Sequence, residues 1–489
     1  MRKHQARISG LTALFLLLTL SSCVVNPVTG RKEFNIISEA MEIQMGQETD
    51  VSIRRDYGIY DDQALNAYVE TIGRRMVPIT HRPNLPYHFA VLDTPVENAF
   101  AAPGGYIYIT RGMLAIMNDE AALAAIIGHE LGHVNARHTA RAMSRQLLLL
   151  GGLLVASALN KDIAKIAPFA MIGLEVLFLK FSRDDEYQAD SLGIQYSRQA
   201  GWAPGQVVPL FTTFLRMEKS GEGPSLPNFL STHPLTTRRI EEINKMLLPA
   251  DPGRRVARSD YLGRINGLVY GENPRQGFVE GGAFYHPDLQ FMIRIPQGWK
   301  CQNSASQFVM APQDEKAAVL LSAEQSARDL AEYMKDKLAS YKEAQIQELS
   351  RGSLWINGLS AFRGIYDIRP KAQENQQADQ GTPMTVDIHC IRKGGQIFTF
   401  LSTTTSADFR GYEPTIDGAI RSFRTLTEPD KLNRRAWRVG LQPGKRGETL
   451  RAILQRLKVN QKQWKAHELM NGMSADMALD TDRSVKVLR

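Results

Sequence analysis

The sequence predicts an α+β protein of several domains: a mainly helical first domain with a small sheet, a second α/β domain, and a small basic C-terminal module. Its 489 residues exceed the roughly 150 of one ordinary domain. Residues 121–146 carry apolar side chains at helical spacing without proline, whereas residues 289–404 contain short alternating segments typical of strands. The last 59 residues hold 14 Lys and Arg against five Asp and Glu.

The composition indicates a globular protein and excludes several classes. Hydrophobic residues make up 43% and charged residues 22%, and the formal net charge is +8. This modest excess predicts no nucleic-acid partner, since such proteins concentrate more positive charge. Three cysteines are too few for a disulfide-rich scaffold. Without Cys23, the thiols left are Cys301 and Cys390, and the sequence leaves open whether they pair.

The first 22 residues have the form of a signal peptide, in which basic residues precede a short apolar run at 8–20. The ending Leu-Ser-Ser-Cys at Cys23 resembles the lipobox of bacterial lipoproteins. That resemblance implies removal of residues 1–22 and a lipid anchor on Cys23. Because Val24 follows, resemblance to enterobacterial sorting rules implies the periplasmic side of the outer membrane. The alternative is an ordinary signal peptide followed by an unmodified cysteine.

An HExxH pattern within the predicted helix places His129, Glu130 and His133 together. Residues four apart share one helical face, so both imidazoles can reach one cation with Glu130 beside them. Two imidazoles suit Zn²⁺, which in catalytic sites takes three protein ligands and a water. A neighbouring carboxylate can accept the proton of that water. The pattern therefore predicts one zinc ion per chain, with Glu130 as the general base of peptide hydrolysis.

A second acidic pattern supplies the third ligand. Glu186 and Asp190 are also four residues apart, so Glu186 can complete the zinc site and Asp190 can accept a hydrogen bond from a ligand histidine. Asp184 and Asp185 are competing ligands by composition, but only Glu186 has an acid four residues later. The two patterns together resemble the gluzincin metallopeptidases.

Five segments in order resemble the HtpX/BepA-like zinc metallopeptidases, a family related to the CAAX prenyl proteases. They are NPVTGR (26–31), the segment 98–114, GHELGHVNARH (128–138), SRDDEYQAD (182–190) and STHPLTTRRI (231–240). The resemblance covers residues 24–255. It implies that His129, His133 and Glu186 bind zinc and that Glu130 is the catalytic base and proton donor.

The resemblance also implies a substrate-binding strand. Asn98, Ala99, Phe100 and Ala101 would form an edge strand beside the cleft and offer backbone hydrogen bonds to an extended substrate. Strand addition holds many sequences in one register, which suits a peptidase. The alternative is a sheet edge without a binding role.

His233, which precedes Pro234, and Arg239 six residues later match a pattern of the same relatives. Either side chain can stabilise the oxyanion of the reaction. Alternatively, His233 occupies the fourth zinc position and keeps the enzyme latent until substrate arrives. We favour latency for His233, because a loop rich in Gly, Pro and Ser precedes it at 220–228. A third alternative is that His-Pro only begins a helix and Arg239 forms a structural salt bridge.

His138 and two apolar runs are assigned structural roles. His138 follows His133 by five residues, about 140° round a continuous helix, so it is expected to face elsewhere as a satisfied or exposed side chain. The runs at 147–158 and 166–174 are shorter than the about 20 residues that span a bilayer. We therefore expect buried or cleft-lining helices, with membrane-surface contact left open.

The remaining chain is divided into an α/β domain at 259–428 and a basic module at 431–489, after a peptidase domain at 23–258. The segment 284–299 (FYHPDLQFMIRIPQGW) resembles PsbP-like domains, and a substrate-presenting or partner-docking role is a hypothesis. Expected secondary structure comprises strands at 289–295, 317–323, 360–368, 384–392 and 396–404, a helix at 327–338 and a loop at 371–383. The basic module weakly resembles a LysM module, which implies contact with peptidoglycan; its charge also suits anionic lipid. The alternative is a structural cap.

These observations predict a lipid-anchored periplasmic zinc endopeptidase that acts on misfolded or stalled envelope proteins. The alternative is a latent, chaperone-like envelope assembly factor whose zinc site is closed. An integral-membrane protease of the CAAX type is disfavoured because the apolar runs are short.

Overall fold

The computed structural model describes residues 23–146, 181–220, 229, 232–339, 344–370 and 383–489. They fall into two compact units. Unit 1 consists of Met1–Arg54, Gly58–Gly271 and Trp437–Arg489, and unit 2 consists of Arg55–Tyr57 and Glu272–Ala436. The predicted mixture of helices and strands in a multidomain chain is confirmed. The domain boundaries stay predictions.

Hydrogen-bonding side chains begin most of the longer helices. In chain order, the helices of the described residues are α1 (Glu39–Tyr57), α2 (Gln63–Met76), α3 (Arg111–Ile116), α4 (Glu120–Asn135), α5 (Arg183–Gln199), α6 (Val207–Ser220), α7 (Thr237–Met246), α8 (Arg258–Ile265), α9 (Leu330–Ala339), α10 (Phe409–Arg421), α11 (Pro429–Leu432), α12 (Leu450–Arg456) and α13 (Trp464–Asn471). Residues 138–146 are also helical. None of the described helices is both long and apolar enough to cross a bilayer.

The strands form five sheets among the described residues. They are β1 (Cys23–Val25), β2 (Lys32–Phe34), β3 (His88–Leu92), β4 (Ala99–Ala102), β5 (Tyr106–Thr110), β6 (Val269–Tyr270), β7 (Phe278–Glu280), β8 (Ala283–His286), β9 (Phe291–Arg294), β10 (Lys300–Asn303), β11 (Gln307–Ala311), β12 (Ala317–Gln325), β13 (Ala344–Ile356), β14 (Leu359–Pro370), β15 (Met384–Lys393), β16 (Gln396–Thr405), β17 (Arg424–Thr425), β18 (Trp437–Gly444) and β19 (Arg483–Leu488). The strand orders are β1-β2, β3-β5-β4, β19-β18-β6, β17-β9-β8-β7 and β10-β11-β12-β16-β15-β14-β13.

Helix α4 lies at the centre of unit 1, and every one of its residues is buried. It begins at Asp119, whose side chain accepts a hydrogen bond from the backbone of Ala122. Helix α5 packs against α4 at a very short distance, because a Cβ atom on Gly193 would lie 2.9 Å from the backbone nitrogen of His129. A larger residue at Gly193 would therefore push the two helices apart.

The C-terminal residues 437–489 belong to unit 1 rather than forming a compact unit of their own. The ammonium group of Lys486 is buried and donates hydrogen bonds to the carbonyl oxygens of Ala115 and Met117, at 2.7 and 2.5 Å. The segment contains two short helices, α12 and α13. The basic composition gave no sign of this packing, since a lysine is rarely fully buried.

Unit 2 contains the predicted strands as β9, β12, β14, β15 and β16, and the predicted helix as α9. Strand β13 was not predicted, because side chains such as Leu349 and Trp355 are exposed and give no clear buried face. Cys301 and Cys390 are both free thiols. They lie on β10 and β15, with three strands between them, which is too far apart for a disulfide.

Several predictions concern residues outside the described part of the chain. They are the signal peptide at 1–22, the apolar runs at 147–158 and 166–174, and the loops at 221–228 and 371–382.

Candidate metal centre

Four buried side chains from three segments of unit 1 converge on one point. His129 and His133 come from the last two turns of α4, Glu186 from the first turn of α5, and His233 from the segment that precedes α7. One ligand atom from each lies within 4.8 Å of the ligand atoms of the other three. The structure thus brings together all three residues predicted to bind zinc and adds His233 as a fourth donor.

The distances within this group are short. Nε2 of His129 lies 3.1 Å from Nε2 of His133 and 3.3 Å from Nδ1 of His233. Oε1 of Glu186 lies 3.0 Å from Nδ1 of His233 and 3.5 Å from Nε2 of His133. Lone pairs of neutral imidazoles facing one another at such distances repel unless a cation or a proton lies between them.

The ionisation of the group suits a divalent cation. Burial lowers the pKa of His133 well below its usual value, so its imidazole is neutral. Burial opposes ionisation of Glu186, but His233, His133 and Arg239 outweigh it and hold its pKa well below the usual value. Neutral imidazole nitrogens and a carboxylate oxygen, without a thiolate, are donors that zinc accepts. The donor set therefore fits a zinc ion.

Glu130 lies beside the group on α4, fully buried, with Oε1 at 3.7 Å from Nε2 of His233. Burial raises its pKa, against the opposing effects of His233, His129 and the backbone amide of Ala101. A carboxyl group whose pKa is raised is suited to exchange protons near neutral pH.

Asp190 occupies the predicted position behind a ligand histidine, with Oδ1 at 3.0 Å from Nδ1 of His129. The guanidinium group of Arg239 donates to both Asp190 oxygens, at 2.7 and 2.8 Å. It also lies 2.7 Å from Oε2 of Glu186. These contacts agree with the salt-bridge alternative for Arg239, and its role in catalysis stays a prediction.

The competing acidic residues lie outside the group. The Asp185 side chain accepts from the backbone N–H of Ser182 at the start of α5 and pairs with Arg141. Asp184 is exposed on the first turn of the same helix.

The predicted orientation of His138 is wrong. Helix α4 ends at Asn135, and the chain turns at Arg137, whose φ is 57°, before helical residues resume at 138. The turn brings Nδ1 of His138 to 2.9 Å from Nδ1 of His133. His138 is buried and satisfied, as expected, but it faces the site. Neither Gly nor Pro marks this turn, so the sequence carried no signal for it.

The predicted substrate strand is β4, at the edge of the sheet β3-β5-β4. Asn98 precedes it; its backbone N–H donates to the hydroxyl of Thr110, and its carbonyl oxygen accepts from the backbone N–H of Thr110. Ala99, Phe100 and Ala101 pair with β5 on one side only among the described residues. Their role in substrate binding stays a prediction.

Comparison with known proteins gives an independent assignment. Residues 63–247 match Peptidase family M48. The Beta-barrel assembly-enhancing protease of Escherichia coli K12 is 28% identical over 224 residues, which is 44% of this chain and 46% of that protein. The Mitochondrial metalloendopeptidase OMA1 of Schizosaccharomyces pombe is 29% identical over 234 residues, which is 47% of this chain and 67% of that protein.

Among solved structures, cyanobacterial PsbP (CyanoP) from Synechocystis sp. PCC 6803 matches 31% of this chain and 98% of its own length. The identity is 13% and the TM-score is 0.24, a value too low to add to the fold assignment. This chain spans about half the length of the Escherichia coli protein. The M48 match contains all four donors, Glu130, Asp190 and Arg239. The chain therefore carries a peptidase domain of family M48, which confirms the family that its motifs predict.

Proposed function

We propose that this chain is a zinc-dependent endopeptidase with His129, His133 and Glu186 as its zinc ligands. The observation that carries the proposal is the convergence of buried donors within 4.8 Å of one another, beside a buried carboxyl group. Similarity to a protease and a metalloendopeptidase supports it. Because this chain spans only part of those relatives, the activity of the whole chain is part of the proposal.

The residues of the site have different roles in peptide hydrolysis. Zinc, when bound, supplies a Lewis acid that polarises a carbonyl group and acidifies water. Glu130 accepts a proton from the attacking water and delivers it to the leaving amine. Burial raises the pKa of Glu130, which suits a group that must both take and release a proton.

Asp190 and Arg239 hold the ligands in place. The Asp190 carboxylate lies 3.0 Å from Nδ1 of His129 and favours a proton on that nitrogen, which leaves Nε2 of the ring free to bind metal. The Arg239 guanidinium neutralises the negative charge of Asp190 and contacts one oxygen of Glu186. We assign Arg239 to this positioning role.

An extended substrate binds along β4. The strand is at the sheet edge, so its outer backbone groups can pair with a peptide regardless of the peptide's side chains. Helix α4, which carries the proposed base Glu130, packs against this strand.

His233 keeps the resting enzyme latent by occupying the fourth position of the zinc site. Its Nδ1 lies within 3.3 Å of His129 and Glu186, and its ring stacks on Phe229 with centroids 4.7 Å apart. Because catalytic zinc sites keep one position open, substrate would have to displace His233 before cleavage. This closed arrangement also favours the second candidate function, a chaperone-like assembly factor.

The site of action is the cell envelope. A lipid on Cys23 tethers the chain to the periplasmic side of the outer membrane, and its substrates are misfolded or stalled envelope proteins. The lipobox-like ending at Cys23 supports the anchor, and similarity to the Beta-barrel assembly-enhancing protease of Escherichia coli supports the substrate class. Contact of the basic module at residues 431–489 with peptidoglycan or anionic lipid belongs to the same proposal.

The substitution Glu130→Gln tests the enzyme against the assembly factor. It should lower cleavage of an unfolded protein substrate by at least about 100-fold, because it removes the general base, while bound zinc stays at one per chain. Glu241→Gln, the same change at an exposed position of α7, is the control and should cleave normally. Full complementation of a deletion strain by Glu130→Gln would contradict the enzymatic function and favour the assembly-factor function.

A further inference from the structure

The two ligand histidines of α4 are supported in different ways. Nδ1 of His129 faces the Asp190 carboxylate, whereas Nδ1 of His133 faces Nδ1 of His138 at 2.9 Å. The second ring of that pair continues to α5, because Nε2 of His138 lies 2.9 Å from Oε1 of Gln188. The His133 and His138 rings are nearly perpendicular, at 78°, and both are buried. Thus His133, His138 and Gln188 form a chain of hydrogen bonds that ends on an uncharged amide.

The chain of contacts fixes where each proton lies. A neutral imidazole has one N–H donor and one acceptor nitrogen, and an amide oxygen can only accept. Facing Oε1 of Gln188, His138 must carry its proton on Nε2, so its Nδ1 is an acceptor. His133 must then carry its proton on Nδ1, which leaves the lone pair on Nε2.

Only this arrangement is compatible with metal binding by His133. Its Nε2 is the atom that points towards Nε2 of His129 and Oε1 of Glu186. If the Gln188 amide presented its NH₂ group instead, His138 would carry its proton on Nδ1 and His133 would carry its proton on Nε2. His133 would then direct an N–H group at the other donors and could not bind a cation through Nε2.

The surroundings hold His138 in this position. The turn at Arg137 is anchored by hydrogen bonds from its guanidinium group to Glu42, at 2.7 Å, and to the carbonyl oxygen of Ile37, at 2.6 Å. Asp185 is the nearest competing acceptor, with Oδ1 at 3.7 Å from Nε2 of His138, but it pairs with Arg141. Gln188 is therefore the closer acceptor of the His138 proton.

We propose that His138 and Gln188 are positioning residues that fix His133 in the tautomer that binds zinc through Nε2. The inference rests on the proposed zinc site and deepens it. Helix α5 then supplies one ligand, Glu186, and orients both ligand histidines, through Asp190 for His129 and through Gln188 for His133. Loss of such an outer partner typically weakens metal binding by 10- to 100-fold.

The test is the zinc dissociation constant of the full-length chain, measured by competition with a chromophoric chelator. His138→Phe keeps a ring but removes the acceptor, and it should weaken zinc binding by about 10- to 100-fold. His138→Gln restores a carbonyl acceptor and should recover most of that loss. His88→Phe, the same change at an exposed histidine of β3, is the control and should bind zinc as the wild type does.

Gln188 provides a second test that is independent of the buried ring. Gln188→Leu removes the acceptor that sets the direction of the protons and should weaken zinc binding about tenfold. Gln188→Glu still accepts the proton and should bind zinc at least as tightly as the wild type. Since Gln188 is half-buried, these variants remain informative if His138→Phe fails to fold.

The outcomes separate the two proposals. Tight zinc binding by the wild type with unchanged binding by folded His138→Phe, or by folded Gln188→Leu, overturns the positioning role alone. A wild-type chain that binds no zinc overturns the proposed function and the positioning role together.

Discussion

Both compact units bury histidine among carboxylates, but among the described residues only those of unit 1 are arranged as a metal group. In unit 2, Nδ1 of His389 on β15 lies 3.3 Å from Asp387, and its Nε2 lies 3.8 Å from Asp417. The two ring nitrogens thus face different carboxylates. In unit 1 one atom from each of four residues points to a common centre, and this is the one such group found among the described residues. Convergence of donors, rather than burial of polar groups, distinguishes the site.

The arginines of the two clusters show the same difference. Arg363 donates to both oxygens of Asp387, at 3.0 and 2.7 Å, and to Glu413 at 2.9 Å, so the chain itself supplies the cation of unit 2. In unit 1, Arg239 engages Asp190 and one oxygen of Glu186. The other oxygen of Glu186 faces the histidines, which leaves a donor set for a cation from solution.

Zinc should therefore stabilise one unit and leave the other unchanged. At a free zinc concentration about 1,000 times the dissociation constant, the folded form of unit 1 gains about 4 kcal/mol. Backbone hydrogen exchange, measured with and without a chelator, should show lost protection in α4 and α5 when zinc is removed. Protection in β14, β15 and β16 should not change. Equal losses in both units would contradict the comparison.

Removing the internal cation of unit 2 should destabilise that unit strongly. Arg363→Met leaves the fully buried Asp387 without its partner, at a cost of about 3–5 kcal/mol in the free energy of unfolding. Denaturant unfolding of unit 2 checks this, while zinc affinity should stay that of the wild type. Adding Asp387→Leu removes the unpaired charge and should restore most of the stability. A loss below about 1 kcal/mol would show that Arg363 does not carry this role.

Unit 2 should also lose stability in mild acid through His286. Burial lowers the pKa of His286 to about 4, against the opposing effect of Asp288, whereas the unfolded residue titrates near 6.5. Between these values the unfolded state binds more protons, so the free energy of unfolding falls as pH drops from 6.5 to 4, by up to about 3 kcal/mol.

The matched variant is His286→Asn, which can still accept from the backbone N–H of Leu289 but does not titrate in this range. Unfolding of both proteins at pH 7 and pH 4.5 checks the difference. An identical loss of stability in the two proteins would assign the acid sensitivity to other groups.

The smallest expected effects come from two glycines in helices. A Cβ on Gly193 of α5 would lie 2.9 Å from the His129 backbone, so Gly193→Ala should cost about 1–3 kcal/mol and weaken zinc binding. Gly418 of α10 has open space around a Cβ, so Gly418→Ala should stabilise unit 2 by about 0.5–1 kcal/mol. Thermal unfolding and zinc titration measure both. Equal effects on stability would refute the close helix contact at the site.

The sequence predicted those parts of the site that depend on short-range spacing. His129 and His133, and likewise Glu186 and Asp190, are each four residues apart, and helical geometry alone places each pair on one face. The fourth donor, His233, came from family resemblance, because nothing local determines its position relative to α4. His138 was misplaced because the turn at a non-glycine residue depends on tertiary contacts.

Long-range packing accounts for the other differences. Lys486 belongs to a basic segment, and only the folded chain brings its ammonium group to the carbonyl oxygens of Ala115 and Met117 at the end of α3. Similarly, β13 was not predicted, because its exposed side chains do not alternate between apolar and polar. This strand lies at an edge of its sheet. Strands β15 and β16, whose side chains are mostly buried, were predicted from the sequence.

The central claim is that four protein donors, including His233, hold a zinc ion in the resting chain. Zinc K-edge X-ray absorption spectroscopy of the full-length protein tests it directly, with His233→Ala as the comparison. The wild-type spectrum should show three imidazole nitrogens and one carboxylate oxygen around zinc, without sulfur, and the variant should show one imidazole fewer. A resting spectrum with two imidazoles that is unchanged by His233→Ala would contradict it.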